Sequence, residues 1–97
     1  MKPSPDFVEM ACITSSVSYR EWLTKDELVG ALLSGEAPPR RTAHLRTLLE
    51  EAPEALVRGL VEQMCKSYPN ERIEENVLRL AAALEVEGRA RRILGRS

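Results

Sequence analysis

The chain offers few side chains that could carry out catalysis or hold a metal ion. It contains one histidine, His44, and two cysteines, Cys12 and Cys65. A single histidine excludes a zinc site with two histidine ligands and an acid–base pair of histidines. Cys65 and His44 could together supply a nucleophile and its base, but no third residue is marked to orient them. We therefore interpret Cys65 as a packed cysteine and His44 as a surface residue.

The other polar residues also lack the spacing of a catalytic or ligand-binding motif. The two cysteines have no C-x-x-C spacing, so we expect both to be reduced. The five glycines are scattered singly and form no phosphate-binding loop. The hydroxyl cluster near the N-terminus is interpreted as a solvated helix face; it comprises Thr14, Ser15, Ser16 and Ser18. We expect no enzymatic activity, no cofactor, no metal ion and no small-molecule substrate.

A basic cluster in the middle of the chain suggests one alternative function, which is nucleic-acid binding. In this alternative, a helix–turn–helix-like segment around residues 24–51 places its second helix in a DNA or RNA groove. The candidate contacts are Arg40, Arg41, His44 and Arg46. Two arguments weigh against it. The connection from Leu33 to Arg41 is long for this motif and contains two prolines, and Glu50 and Glu51 would repel phosphate. Nucleic acid is therefore the less favoured partner.

Composition predicts that helices position these side chains. Apolar residues make up 43% of the 97 residues, but the chain has only one Trp, two Tyr and one Phe. Because strands favour aromatic and β-branched residues, this composition is typical of a soluble all-α protein. No apolar run approaches the roughly 18 residues of a membrane span, and the N-terminus does not resemble a signal peptide. We expect a single helical domain over residues 1–97, located in the cytoplasm.

The clearest element is an antiparallel helical hairpin between Pro53 and Leu84. Pro69 ends its first helix because proline cannot donate the next backbone hydrogen bond, and Asn70 is a suitable cap for the second. The residues predicted to line the shared seam recur at spacings of three and four. They are Val57, Leu60, Val61, Met64, Tyr68, Ile73, Val77, Leu80, Ala81 and Leu84. With the segments before it, this hairpin predicts a compact bundle of about five helices.

Clear signals also mark the helices that precede the hairpin. Thr24 and Glu27 form a capping box, with Leu23 and Leu28 placed to pack across the start of the helix. Gly35 ends that helix. The next helix begins at Arg40 or Arg41 and is followed by a new helix at Pro53. The predicted inward face of the helix that begins at Arg40 or Arg41 consists of Leu45, Leu48, Leu49 and Ala52.

Residues 7–20 are compatible with either a helix or a strand. We favour a helix, because no second convincing strand exists for pairing. Ser4 is then the predicted cap, followed by Asp6 in the first turn. The aligned face of this helix consists of Phe7, Met10, Ala11, Thr14 and Val17. Trp22, beside Tyr19, is expected inside the core rather than at an interface.

A second apolar stripe follows Leu84 and is rotated away from the hairpin seam. The acid-first pairs Glu85–Arg89 and Glu87–Arg91 favour a helix that continues through Gly88. The stripe and its polar rim consist of Val86, Ala90, Ile93, Leu94, Arg92 and Arg96. Either the N-terminal helix or another molecule must cover these residues. The sequence leaves both coverings open.

This stripe and the lack of catalytic motifs together favour one function. We predict a small non-enzymatic interaction module: an adaptor, regulator or inhibitor that binds another protein. The predicted partner is another protein or a second copy of the chain, and the predicted interface is the C-terminal stripe.

Overall fold

The computed structural model describes residues 6–95. They form α1 (Phe7–Ser16), α2 (Lys25–Ser34), a 3₁₀ turn (Pro39–Arg41), α3 (Thr42–Glu51), α4 (Glu54–Ser67), α5 (Ile73–Ala83) and α6 (Glu87–Ile93). No strand occurs among these residues, so the predicted all-α class is confirmed. The Cα radius of gyration is 12.3 Å, close to the ~13 Å expected for a folded chain of about 100 residues. None of the described helices is long and apolar enough to cross a membrane.

Residues 7–20, for which the sequence allowed either a helix or a strand, contain the helix α1, which ends at Ser16. Its cap is Asp6, whose carboxylate accepts hydrogen bonds from the N–H groups of Val8 and Glu9 at 3.1 and 3.2 Å. Asp6 is therefore the cap itself and not a residue of the first turn, so the helix begins two positions later than predicted. Ser4, the predicted cap, lies outside the described residues.

Asp6 also connects α1 with two neighbouring helices. Lys25 Nζ on α2 donates to it at 2.8 Å, and Gln63 Nε2 on α4 donates at 3.1 Å. The hydrogen bond from Lys25, and after it the bond from Gln63, lowers the pKa of Asp6 well below its usual range. Because the folded pKa is depressed, the carboxylate stabilises the fold above about pH 4, and that contribution is lost as pH falls further.

Replacing this carboxylate by an amide should therefore change the acid dependence of stability. Asp6→Asn keeps a capping side chain but loses the charge that pairs with Lys25. We expect lower stability at neutral pH and a smaller loss of stability on acidification than in the wild type. Denaturant unfolding at a series of pH values measures both effects. Asp26→Asn, at an exposed acid in the first turn of α2, is the matched control, and identical acid profiles for both variants would contradict the prediction.

The local signals for α2 and α3 are confirmed, with one shift in position. Both hydrogen bonds of the capping box are present, and Gly35 ends α2 with a left-handed φ of 76°. The helix predicted to begin at Arg40 or Arg41 is preceded there by the 3₁₀ turn, so α3 begins at Thr42. The inward face predicted for α3 is buried as expected.

The C-terminal hairpin is confirmed in outline, with a different packing of its two helices. Eight of the ten predicted seam residues are buried, whereas Tyr68 and Leu84 are partly exposed. α4 packs mainly on α1, and α5 packs mainly on α2 and α6, so the seam is shared across the bundle. Asn70 does not cap α5, because residues 68–71 form a turn in which Glu71 N–H donates to the Tyr68 carbonyl at 3.1 Å.

The helix predicted to run through Gly88 is instead divided before it. α5 ends at Ala83, and Glu85 adopts a left-handed φ of 62°. Val86 N–H then donates to the Ala81 carbonyl at 2.8 Å, a backbone bond of the kind that closes helix C-termini. The chain changes direction at this point, and Gly88 lies inside the separate helix α6. The described bundle therefore has six helices instead of about five.

Candidate functional site

The predicted C-terminal interface is largely covered by the chain itself. Val86, Ala90 and Ile93 are only 4%, 1% and 4% exposed, and Leu94 is half-buried. The reversal between α5 and α6 folds α6 back against α3, α4 and α5. Of the two coverings that the sequence left open, the chain itself therefore provides most of the cover for this stripe, through α3, α4 and α5.

The predicted polar rim of that interface has a different role in the fold. Arg92 Nη2 lies 3.2 Å from Glu54 Oε1, which ties α6 to the first turn of α4. Arg89 does not pair with Glu85 as predicted; its guanidinium donates to the carbonyls of Leu49 and Ala52. Of the two predicted acid-first pairs, only Glu87–Arg91 forms, at 3.2 Å. Arg96 lies outside the described residues.

The four candidate nucleic-acid contacts do not form one exposed basic surface. Arg41 has a side chain that is only 12% exposed, and it forms ion pairs with Glu21 at 2.9 Å and Glu27 at 3.0 Å. His44 is 4% exposed. Of the four, Arg40 and Arg46 are exposed. Two of the four contacts expected for nucleic-acid binding, Arg41 and His44, are therefore largely inaccessible to a nucleic acid.

His44 is buried because the loop after α1 folds over α3. Its Nε2 lies 2.6 Å from the Glu21 carbonyl oxygen, and its ring stacks on Tyr19 with centroids 4.2 Å apart. Tyr19 Oη is also hydrogen-bonded to Thr47 Oγ1 at 2.8 Å. The interpretation of His44 as a surface residue is therefore wrong, and the residue instead fixes the loop on the bundle.

The Cys65–His44 dyad does not form. One ring nitrogen of His44 is bonded to Glu21, and the other, Nδ1, is buried with no hydrogen-bond partner. Both cysteines are free, and burial raises the pKa of Cys12 to about 11 and raises that of Cys65 as well. Both thiols are therefore protonated and poorly nucleophilic at neutral pH. Residues 6–95 contain no cluster of three or more potential metal ligands.

The face of α1 that packs against the bundle differs from the predicted face. The buried residues of α1 are Val8, Ala11, Cys12, Ser15 and Ser16. Several of these side chains are small and allow α1 to approach α4 closely. At Gly59 on α4, an added Cβ would lie 2.5 Å from the ring of Phe7. Of the face predicted from the sequence, only Ala11 is buried.

The opposite side of α1 exposes a second row of apolar side chains. Met10, Ile13 and Val17 are 43%, 47% and 74% exposed. Spacings of three and four residues place them on one side of the helix, away from the buried face. An exposed apolar row backed by a complete core is the most distinctive surface of the described chain.

Trp22, in the loop that follows α1, is a further exposed apolar side chain. It is 56% exposed, so the expectation that it packs inside the core is wrong. The adjacent Leu23 occupies the core instead, at 2% exposure, and its N–H donates to Ser16 Oγ at 2.9 Å. Residues 17–22 therefore form a loop that folds back, so that its far end is hydrogen-bonded to the last residue of α1. We call Met10, Ile13, Val17 and Trp22 the outer stripe.

No protein-family model matches the chain, and no curated protein or solved structure shows significant similarity to it. Its function is therefore inferred from the outer stripe and the residues that hold it in place.

Proposed function

We propose that the protein is a small non-enzymatic interaction module that binds a protein partner through the outer stripe. The observation that carries this proposal is the exposure of Met10, Ile13, Val17 and Trp22 on α1 and the loop that follows it. Burying a large apolar side chain contributes about 1.5–3 kcal/mol relative to leaving it in water. Because these side chains are 43–74% exposed, a protein surface that covers the stripe would gain the corresponding part of this contribution at each position.

The composition of α1 supports the same proposal. Among its ten residues, FVEMACITSS, Glu9 is the only charged one. A surface helix normally carries charged residues on the side away from the core, and a helix that is apolar on both sides is usually covered on both. The bundle covers the inner side of α1, which leaves the outer side for a partner.

The outer stripe is also held in a defined position before binding. Ser16 Oγ binds the Leu23 N–H, while the Tyr19–His44 contact and the Arg41–Glu21 ion pair fix the loop between α1 and α2. These contacts restrict the backbone around Val17 and Trp22. A surface that is already ordered loses less conformational entropy on binding, which favours affinity. Tryptophan is also the residue type most enriched among energetically dominant interface positions.

Disrupting the stripe without disturbing the core tests the proposal. In Ile13→Asp, a carboxylate replaces an exposed apolar side chain at the centre of the stripe, so the monomer should remain folded. We expect tagged wild-type protein to retain a protein partner, a second copy included, in extracts of its native source, and the variant to lose it. Ala55→Asp, at an exposed position in the first turn of α4, is the matched control and should behave as wild type.

Circular dichroism confirms that each variant is folded, and the fluorescence of Trp22, the only tryptophan, reports on its environment. Its emission should shift to shorter wavelength when the partner binds, because the indole leaves water. Retention of the same partner by Ile13→Asp would contradict the proposal. Failure of the wild type to bind any protein would contradict it equally.

A further inference from the structure

A cleft between the loop after α1 and the start of α3 brings together arginines from two separate parts of the chain. Its volume is about 370 Å³. The polar side chains that line it include Arg20, Arg40, Arg41, Glu21, Thr42 and Tyr19. We infer that this arginine cleft binds a phosphomonoester group, held between Arg20 and Arg40. The inference goes beyond the proposed function and does not depend on the outer stripe.

Arg41 holds the two walls of the arginine cleft together. Its guanidinium forms ion pairs with Glu21 at 2.9 Å and with Glu27 at 3.0 Å, and its Nη1 also donates to the Arg40 carbonyl at 3.1 Å. Because Glu21 lies in the loop and Arg40 lies in the 3₁₀ turn, one side chain fixes both. The carboxylate of Glu21 is also compensated by this ion pair, which reduces its repulsion of a bound anion.

The backbone on both sides of Arg20 is fixed by further contacts. The Glu21 carbonyl lies 2.6 Å from Nε2 of the buried His44, and the Tyr19 ring stacks on the same imidazole. Tyr19 Oη is hydrogen-bonded to Thr47 Oγ1. A binding site whose backbone is ordered in advance loses less conformational entropy when a ligand binds.

Arg20 and Arg40 have unpaired charges within this ordered frame. Both are exposed, and neither side chain forms an ion pair or a hydrogen bond with any residue between 6 and 95. Each guanidinium offers five N–H donors in one plane. Two positive charges that line the same cleft repel each other, and a bound anion relieves that repulsion.

The charge and shape of a phosphomonoester match these two guanidiniums. Such a group carries a charge of about −1.5 to −2 at pH 7, which balances two unpaired arginines. Its three terminal oxygens can accept hydrogen bonds from both guanidiniums at once, whereas one bidentate guanidinium already occupies the two oxygens of a carboxylate. The first turn of α3, which lines the cleft at Thr42, contains no acidic residue that would repel the ligand.

Titration of the purified full-length protein with inorganic phosphate, followed by ¹H–¹⁵N NMR at constant ionic strength, tests this inference. We expect saturable shifts of the backbone amides of residues 19–21 and 40–44 and of the side-chain signals of Arg20 and Arg40. Acetate, as the carboxylate control, should bind about tenfold more weakly. Absence of saturation, equal binding of acetate, or shifts spread over arginines elsewhere on the bundle would overturn the inference.

Two variants assign the binding to the cleft. Arg20→Gln and Arg40→Gln change exposed side chains, so both proteins should remain folded by circular dichroism, and each should bind phosphate about tenfold more weakly. Arg58→Gln, at an exposed arginine of α4, is the matched control and should bind as the wild type does. Ile13→Asp should also bind phosphate normally, so failure of this site and failure of the outer stripe are observed separately. Undiminished binding by both cleft variants would overturn the inference.

Further ligands identify the molecule that carries the phosphoryl group. Tighter binding of a short phosphoserine peptide than of free phosphoserine would support the site and assign it to a phosphorylated protein. The reverse order would support the site and assign it to a small phosphorylated compound. An oligonucleotide without terminal phosphates that binds more tightly than both, in a manner that depends on Arg46, would indicate a surface for phosphodiesters and overturn the inference.

Discussion

Replacing Leu80 by alanine should lower the free energy of unfolding by about 2–5 kcal/mol. Leu80 is fully buried, at 0% exposure, in the part of α5 that faces the bundle. Removing most of its side chain loses the transfer free energy of the deleted atoms. It also leaves a cavity that six short connected helices can close only in part. Leu60 on α4, at 1% exposure, should behave in the same way.

Denaturant unfolding followed by circular dichroism measures the loss, and an exposed position on the same bundle provides the control. Glu62→Ala on α4 removes a solvated side chain and should change stability by less than about 0.5 kcal/mol. Similar small losses for Leu80→Ala and Glu62→Ala would show that α5 does not contribute its apolar face to the core. The prediction would also be wrong if Leu80→Ala were as stable as the wild type.

Most helix positions follow from signals that act within one turn. The Thr24–Glu27 capping box and the left-handed Gly35 mark the two ends of α2, because each satisfies backbone groups that the helix leaves unpaired. Pro53 similarly separates α3 from α4, since proline has no backbone N–H to donate in the interior of a continuous helix. These features depend on neighbouring residues only, so the sequence is sufficient to predict them.

The break between α5 and α6 has no comparable signal. Glu85 occupies a left-handed conformation that glycine or asparagine would normally mark, and no proline lies near it. The cost of that conformation is offset by the burial of Val86, Ala90 and Ile93, which depends on the tertiary position of α6. Local pattern therefore favoured continuity, and the expectation that these residues project beyond the hairpin on one continuous helix was wrong for the same reason.

The outer stripe shows a different limit of helical periodicity. Both sides of α1 carry apolar residues, so spacing alone does not decide which side faces the bundle. The small residues Ala11, Cys12 and Ser15 are buried, and α1 packs mainly on α4, where Gly59 leaves room for the ring of Phe7. For Trp22, a usable signal did exist. A hydrophobic contact between the residue before the cap and the fourth helical residue often accompanies a capping box, which favours burial of Leu23 and Leu28. Leu23, rather than Trp22, is indeed in the core.

The contact between Arg89 and the end of α3 also lies beyond sequence patterns. Arg89 Nη1 donates to the Leu49 carbonyl at 3.0 Å, and its Nη2 donates to the Ala52 carbonyl. The last carbonyls of a helix have no partner within it, and Pro53 has no N–H to offer. A guanidinium presents several donors in a fixed plane, so one side chain of α6 satisfies two carbonyls where α3 ends.

Replacing Arg89 by methionine should therefore lower the free energy of unfolding by about 1.5–3 kcal/mol, the range for hydrogen bonds from a charged group. Methionine keeps most of the apolar stem of arginine but leaves both carbonyls without this donor. Arg91→Met on the same helix removes an exposed pair with Glu87 and should cost less than about 1 kcal/mol. Arg89→Lys should fall between the two, because an ammonium cannot reproduce the planar arrangement of donors. Equal losses for Arg89→Met and Arg91→Met in denaturant unfolding would show that the end of α3 does not need the guanidinium.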